Sequence, residues 1–492
     1  MNNDNQQSNT ISPRDAKWRE ELRNSMSAKQ RTAIPRAKMP ELDPAFRVTC
    51  SAEVNQGLSQ GQAMLEASRC MDCPDPQCVT GCPVGINIPG FIKNIERGHF
   101  HEAAVVLKET SALPAVCGRV CPQERQCESR CIYHKMKKQP VAIGYLERFA
   151  ADTERLSGTG ELPARLAPNG KKVAVVGSGP ASLSFAGDMI RRGYEVTVYE
   201  ALHEIGGVLK YGIPEFRLPN AVVDVEIDAL AAQGVKFVKD CVIGKTLNYD
   251  DLLNLGFDGI FVASGAGLPR FMGIPGENFI GVLSSNEYLT RINLMGAGRP
   301  GWATPAPAGK RVAVIGGGNT AMDSVRTARR MGAEEAFIVY RRSEAEMPAR
   351  VEEVKHAKEE GVKFLTLHNP VEYLADENGH VRAMRVQRME LGDPDESGRR
   401  SPVPVEGAID EIPVDLVIVS VGVSPNPLIP DSIEGLEVTR RGTIAVNDLT
   451  LQSSLPLIFA GGDIVRGGAT VILAMGDGRR AAQSMHETLS AR

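Results

Sequence analysis

The pattern Lys-(Lys/Arg)-Val-Ala-Val-(Val/Ile)-Gly-x-Gly runs from Lys171 to Gly179 and returns from Lys310 to Gly318. An apolar run that ends in a glycine turn reads as a short buried strand, and the segments that follow, about Ala181 to Arg192 and Ala321 to Met331, read as helices. Second strands are expected at Glu195 to Tyr199 and Ala336 to Tyr340. Each copy is therefore a βαβ unit of the kind that places a dinucleotide at a helix N-terminus. Two copies imply two nucleotides and dictate an α/β fold over most of the chain.

The residues around each turn set what it binds. In the first copy Gly177 permits the tight turn and Gly179 lets the backbone approach a pyrophosphate, with Pro180 and Ser182 completing the turn into the helix. Ser182 stands where glycine or alanine is usual, a departure of little more than one oxygen. Glu200 ends the second strand, where a carboxylate accepts hydrogen bonds from an unphosphorylated ribose, as for FAD or NAD. The second copy has the turn Gly316, Gly318, Asn319 and Thr320, but Arg341 and Arg342 follow its second strand in place of the acid. A carboxylate there would repel a 2′-phosphate, whereas guanidinium groups bind one, so this copy selects NADPH over NADH. A single glycine turn would be weak evidence; two turns with opposite strand-end chemistry are specific. Near the C-terminus an apolar strand from Pro456 runs into Gly461, Gly462 and Asp463, fit to approach a flavin's ribityl and phosphate portion. A helix starting near Ala469 and containing Gly476, Arg479 and Arg480 would bring its N-terminus against the flavin ring.

Eight of the ten cysteines fall in two runs, Cys70, Cys73, Cys78 and Cys82, then Cys117, Cys121, Cys127 and Cys131. These spacings suit thiolates around 4Fe-4S clusters better than a single tetrahedral zinc. In two-cluster arrangements the last cysteine of one run ligates the other cluster. By that crossing Cys70, Cys73, Cys78 and Cys131 hold one cluster, and Cys82, Cys121 and Cys127 hold three corners of the second. The fourth corner falls to Cys117 or to a non-thiol residue downstream. Cys50 and Cys241 stand alone and read as core residues. Pro74, Pro76, Pro83 and Pro122 stop regular structure beside the cysteines, while Ser59 to Arg69, Ile88 to Ile95 and Glu102 to Leu107 read as helices.

A chain of 492 residues divides into about three domains. The expected boundaries are a polar N-terminal extension at 1–38, a helical iron–sulfur domain at 39–160, an FAD domain at 161–300 and 431–492, and an NADPH domain at 301–430. The Gly/Pro/Ala-rich stretch Gly296 to Gly309 reads as the crossing between the nucleotide domains. A formal charge of −4 gives no general reason to expect nucleic acid or an anionic membrane as partner. The polar start from Met1 to Thr10 lacks a secretory signal, and no run is long enough for a membrane span. Clustered cysteines without a signal favour metal binding in a reducing cytoplasm over a disulfide scaffold.

From about Met39 to the end the chain resembles the small (beta) subunits of NADPH-dependent glutamate synthase. The likeness rests on Arg69 to Pro83, Gly118 to Gln123, Ile143 to Glu147, Gly206 to Pro214, Gly316 to Asp323 and Gly461 to Gly467. It implies a helical two-cluster domain followed by two Rossmann-like domains, the NADPH domain inserted in the FAD domain, with Gly206, Gly207 and Gly212 at the flavin. As in the related N-terminal half of dihydropyrimidine dehydrogenase, it implies an oxygen ligand to one cluster, here Glu147, ahead of Cys117. No nucleophilic side chain is called for. The implied partner is a large subunit that hydrolyses glutamine and reduces the 2-oxoglutarate adduct, since Met1-Asn2-Asn3 offers no N-terminal cysteine nucleophile. The chain is also similar to the large subunit of electron-bifurcating NADH-dependent ferredoxin:NADP oxidoreductase, which implies a small flavoprotein partner and ferredoxin. A third reading is a cluster-bearing scaffold without catalysis, which the intact glycine turns and Arg341 and Arg342 argue against.

Overall fold

Strands buried on both faces belong in parallel sheets covered by helices, and the two repeated apolar runs each become the middle of one. The computed structural model describes residues 12–158, 160, 162–396 and 398–492; the polar start from Met1 to Thr10 lies outside them. In chain order the strands are Lys172–Val176 (β1), Glu195–Tyr199 (β2), Lys236–Val238 (β3), Gly259–Val262 (β4), Leu268–Pro269 (β5), Val282–Ser284 (β6), Arg311–Ile315 (β7) and Glu335–Tyr340 (β8). Lys363–Thr366 (β9), His368–Ala375 (β10), Val381–Pro394 (β11), Arg400–Pro413 (β12), Leu416–Val419 (β13), Val423–Ser424 (β14) and Ile458–Ala460 (β15) complete them.

The first sheet has the order β15-β4-β1-β2-β3 and the second β6-β13-β7-β8-β9, all parallel. Lys172 faces Glu195 in one and Arg311 faces Glu335 in the other, so the repeat is also a repeat of register. β10, β11 and β12 form a separate antiparallel sheet. The ribbon of β5 with β14 carries the chain between the two parallel sheets in both directions. Because β6 already pairs with β13, the crossing lies at this ribbon and not at Gly296 to Gly309. That stretch instead joins the helix Ser285–Asn293 to β7, turning at the positive φ of Gly296, against which the Trp302 ring packs.

No strand is found among the described residues before β1. The helices Gln60–Ser68, Ile88–Glu96, Phe100–Lys108, Pro114–Val120 and Ile143–Ser157 pack around Phe91, Ile92, Ile95, Val106, Leu107 and Leu146, all buried. Ser59 caps the first with its hydroxyl on the Gln62 amide, in a capping box. From Ser12 onward the N-terminal segment packs on this domain. Asp72, fully buried at φ +50°, receives Arg19 through two bonds (3.0 and 2.5 Å) and Arg23 at 2.7 Å. A buried carboxylate needs such charge-assisted partners to stay ionised.

Arginines also fasten the second nucleotide domain to the rest. Arg47, with no exposed surface, bonds Glu360 (2.8 Å), Glu359 (2.9 Å) and the His356 carbonyl (3.1 Å). Arg217 reaches Asp323 at 2.8 Å. Arg350 donates to the Arg119 carbonyl (2.8 Å) and to Gln123 Oε1 (2.9 Å), and Arg125 reaches back to the carbonyls of Met347, Pro348 and Ala349.

The C-terminal helix Val471–Ser490 joins the first nucleotide domain to the cysteine domain. A Cβ on Gly478 would overlap the Ala181 carbonyl oxygen and lie 3.0 Å from the Phe185 nitrogen, while one on Gly476 would lie 2.9 Å from the Pro83 carbonyl oxygen. Backbone cannot yield as a flexible side chain can, so Gly478→Ala is expected to destabilise the protein by about 1–3 kcal/mol. Urea unfolding of the two proteins checks this, and an unchanged midpoint would show that the helices separate freely.

Candidate functional site

Three glycine turns far apart in sequence meet at the N-terminus of the helix Pro180–Arg191. Gly177, at φ +94°, lies so close to the Ala263 carbonyl that a Cβ would stand 2.6 Å from it, whereas the space above Gly179 is open for 4 Å. A Cβ on Gly207 (φ +53°) would lie 3.0 Å from Gly179 Cα, and one on Gly462 (φ +75°) 3.0 Å from Ala181 Cβ. Free backbone amides at the positive end of a helix dipole, beside open space, make a cradle for a diphosphate. Pro180 stands in the first turn of that helix, and Ser182 is fully buried one turn in, its hydroxyl without a hydrogen-bond partner.

Glu200 is buried beside this cradle. Its Oε2 accepts from the Ser178 amide (2.9 Å) and hydroxyl (2.6 Å), its Oε1 from the Leu202 amide (2.8 Å), and Ser178 Oγ accepts in turn from the Gly206 amide. Asp463 Oδ1 accepts from the Ala469 amide at 2.9 Å, and burial raises its pKa to about 6. Gly212 does not enter the cradle contacts; it is enclosed by Val208 of its own turn. Gly476 lies against Pro83, and Arg479 and Arg480 are engaged by Thr110 and Asp477.

The second cradle repeats the first. Gly316, at φ +138°, sits against the Ser420 carbonyl, Gly317 against the Tyr340 ring, and Gly318 opens onto space bounded by Pro348 at 4.0 Å. Asn319 Oδ1 accepts from the Arg350 amide (2.9 Å), and Thr320 is exposed in the first turn of the helix Asn319–Arg330. The two arginines after β8 part company. Arg341 is exposed with no partner among the described residues, whereas Arg342 is buried, donating to the Arg400 carbonyl (2.8 Å) and pairing with Asp395 (2.5 Å). The expectation that both guanidiniums face the nucleotide is corrected for Arg342: adjacent residues leaving a strand point opposite ways, and this one props the β11–β12 hairpin.

The cysteines gather into two sets. Cys78 lies near Cys70, Cys73 and Cys131, and Cys73 near Cys131. Cys82, Cys121 and Cys127 surround Glu147, with Cys117 alongside. Burial foremost pushes the thiols of Cys70 up to about 11 and Cys82 up to about 12. Glu147 is buried just past the first turn of the helix Ile143–Ser157; burial, then Glu226, raises its pKa to about 8, and its Oε1 has no hydrogen-bond partner. Enclosed sulfurs that repel one another as anions, with an orphaned carboxylate oxygen among them, are a donor set that fits a cationic iron–sulfur cluster. Cys117 is wholly buried, with Sγ 3.4 Å from Met475 Sδ. Cys241 lies in the core, but Cys50 is only half-buried.

Several residues here had no sequence motif to announce them. Asp477, fully buried, accepts from the Gly462 amide (3.0 Å) and from both Arg466 (2.6 Å) and Arg480 (2.6 Å), so it braces the third turn. Its signal was an acid between two glycines in an otherwise regular helix. Arg125 and Arg350, which join the second cradle to the cysteine loop, carried no signal beyond their charge.

Comparison with known proteins agrees with this layout. Residues 47–159 match the family described as dihydropyrimidine dehydrogenase domain II, 4Fe-4S cluster, and residues 171–478 the pyridine nucleotide-disulphide oxidoreductases. The glutamate synthase [NADPH] small chain of Escherichia coli K12 is 36% identical over 92% of this chain and 97% of its own length. The NADP(+)-dependent formate dehydrogenase subunit beta of Moorella thermoacetica is 40% identical over 84% of this chain, which spans 60% of that relative. Among solved structures, Mycobacterium tuberculosis FprA shares the fold, with a TM-score of 0.56 and 20% identity over 65% of this chain and 85% of its own. The chain therefore belongs to the family of the glutamate synthase NADPH small chains: it is an NADPH-dependent oxidoreductase that carries FAD and 4Fe-4S clusters.

Proposed function

We propose that this protein is the electron-input subunit of a cytoplasmic glutamate synthase, taking a hydride from NADPH and passing electrons singly to a large subunit. One observation carries the reading. The helix Val471–Ser490 starts beside the Gly461–Gly462 turn and, at Gly476, lies on Pro83 next to Cys82, so one rigid element joins the first cradle to the second cysteine set.

Bound FAD would supply the exchange between a two-electron hydride and one-electron carriers, chemistry that no side chain offers. The chain's own residues bind, orient and insulate. Gly177, Gly179, Gly207 and Gly462 leave room for the diphosphate, and Glu200 offers its carboxylate to the ribose. Gly316, Gly318, Asn319 and Thr320 receive the second diphosphate, and Arg341, the unengaged guanidinium, takes the 2′-phosphate. Cys70, Cys73, Cys78 and Cys131 hold one cluster; Cys82, Cys121, Cys127 and Glu147 hold the other. Cys117 stays outside the ligand set as a packing contact to Met475.

The near full-length likeness to glutamate synthase small chains supports a large subunit as the acceptor. The 40% identity to the Moorella subunit supports a second reading, the same input module in a different complex. Purification of the native complex separates the two by what accompanies this chain: a glutaminase-bearing large chain supports the first, another redox subunit the second.

Anaerobic addition of NADPH to the fully loaded protein is expected to bleach the flavin absorbance and reduce the clusters; a protein that does neither is a scaffold. Arg341→Ala is expected to lower kcat/KM for NADPH by about 10- to 100-fold, the worth of a charged hydrogen-bond pair, with little change for NADH. An unchanged NADPH/NADH ratio would move the phosphate elsewhere. Glu147→Ala is expected to remove or convert one of the two cluster signals in low-temperature EPR and leave the other; two unaltered signals would return the corner to Cys117.

A further inference from the structure

The two cysteine sets differ in their access to the surface. In the second set Cys121 and Cys127 are 5% and 8% exposed and only Cys82 is half-buried, whereas Cys70, Cys73, Cys78 and Cys131 are all half-buried. Directly around Cys131 the chain reads Arg130, Ile132, Tyr133, His134, Lys135, Met136, Lys137 and Lys138, and residues 129–142 contain no carboxylate. Arg130 and the three lysines are exposed, and Ile132 and Met136 are each 40% exposed among them.

This charge is left uncompensated. Several exposed lysines elsewhere are paired, as Lys310 is with Glu334, Lys355 with Glu41, Lys358 with Glu344 and Lys363 with Glu335. Arg130, Lys135 and Lys137 have no ion-pair partner among the described residues. Lys138 is held only by the Thr32 carbonyl at 2.6 Å, which brings up the helix Ala28–Ala33 with its exposed Lys29. The exposed carboxylate in the neighbouring cysteine run, Asp75, is hydrogen-bonded by Gln77. The segment is also rigidly mounted. Tyr133, 1% exposed, donates to the Arg69 carbonyl (2.7 Å), the Lys138 amide donates to the Tyr133 carbonyl (3.0 Å), and Lys137 is kept at φ +55°. A non-glycine residue in that conformation persists only where its surroundings over-determine it.

We propose that this cationic rim with its apolar centre is the docking surface for the accepting protein, whose one-electron centre lies under a carboxylate-rich face. Opposite charges steer such encounters, and Ile132 and Met136 give the apolar contact at the middle. The proposal rests on the reading that electrons leave through the set containing Cys131. On a chain of net charge −4, an acidic partner would be repelled in general and drawn to this patch in particular.

The test uses the full-length, fully loaded, oxidised protein, with a photoreduced acidic [2Fe-2S] ferredoxin as the probe and stopped-flow absorbance of the clusters as the readout. The second-order rate constant is expected to fall steeply as NaCl rises from about 20 to about 300 mM. It is expected to fall by at least about tenfold at low salt in Lys135→Glu/Lys137→Glu, with an intermediate loss in Lys135→Gln/Lys137→Gln. Ferricytochrome c, a basic protein, accepting electrons from the dithionite-reduced protein, should show no loss in the same variants. Ferredoxin rates that agree within about twofold between the wild type and both variants, across the salt range, would overturn the docking surface. NADPH bleaching of the same samples keeps the two readings apart: its failure sinks the electron-input role alone, while its success with salt-independent ferredoxin rates sinks the surface alone.

Discussion

The architecture turns on how closely two backbones can approach along one helix. Gly478 lets Val471–Ser490 lie directly on the helix that heads the first nucleotide cradle, and Gly476, half a turn away, lets the opposite side lie on the loop that holds Cys82. Any side chain at either position would drive the elements apart by the width of a methyl group. A redox protein gains from the absence of those atoms, because its function depends on separation between centres and on their staying at that separation. Asp477, buried between the two glycines, adds the third tie by fixing the Gly461–Gly462 turn.

Around that axis the interior is unusually ionic. Asp72, Glu353, Glu360 and Asp477 are all buried, and each is met by arginines rather than by water. Glu147 breaks the rule. It is as buried as the others yet has an oxygen with no partner, and burial makes it a poor carboxylate until a cation arrives.

Much of this was legible in the residues. The repeated Val-Ala-Val runs gave both parallel sheets, because four apolar residues closed by a glycine turn leave little choice of structure. The spacing of eight cysteines suggested a crossed grouping, and the fold sets Cys131 beside Cys73 and Cys78. What escaped was set by long-range contact. Nothing local distinguishes Arg341 from Arg342, since their fates are decided by a hairpin about sixty residues on. The crossing between domains was misplaced because Gly296 to Gly309 has the composition of a linker, while the true ribbon at β5 and β14 is only two residues wide on each strand. Arg47, whose acceptors Glu359 and Glu360 lie more than three hundred residues away, could not be read as anything but a surface cation.

Arg47, Arg217 and Arg350 together have a mechanical meaning. For the second nucleotide domain to swing relative to the first, each would have to leave a buried carboxylate or carbonyl, and uncovering one partner of a buried ion pair costs about 3–5 kcal/mol. Several such ruptures at once would cost more than a bound dinucleotide can readily return. The domain behaves as the fixed jaw of a vice.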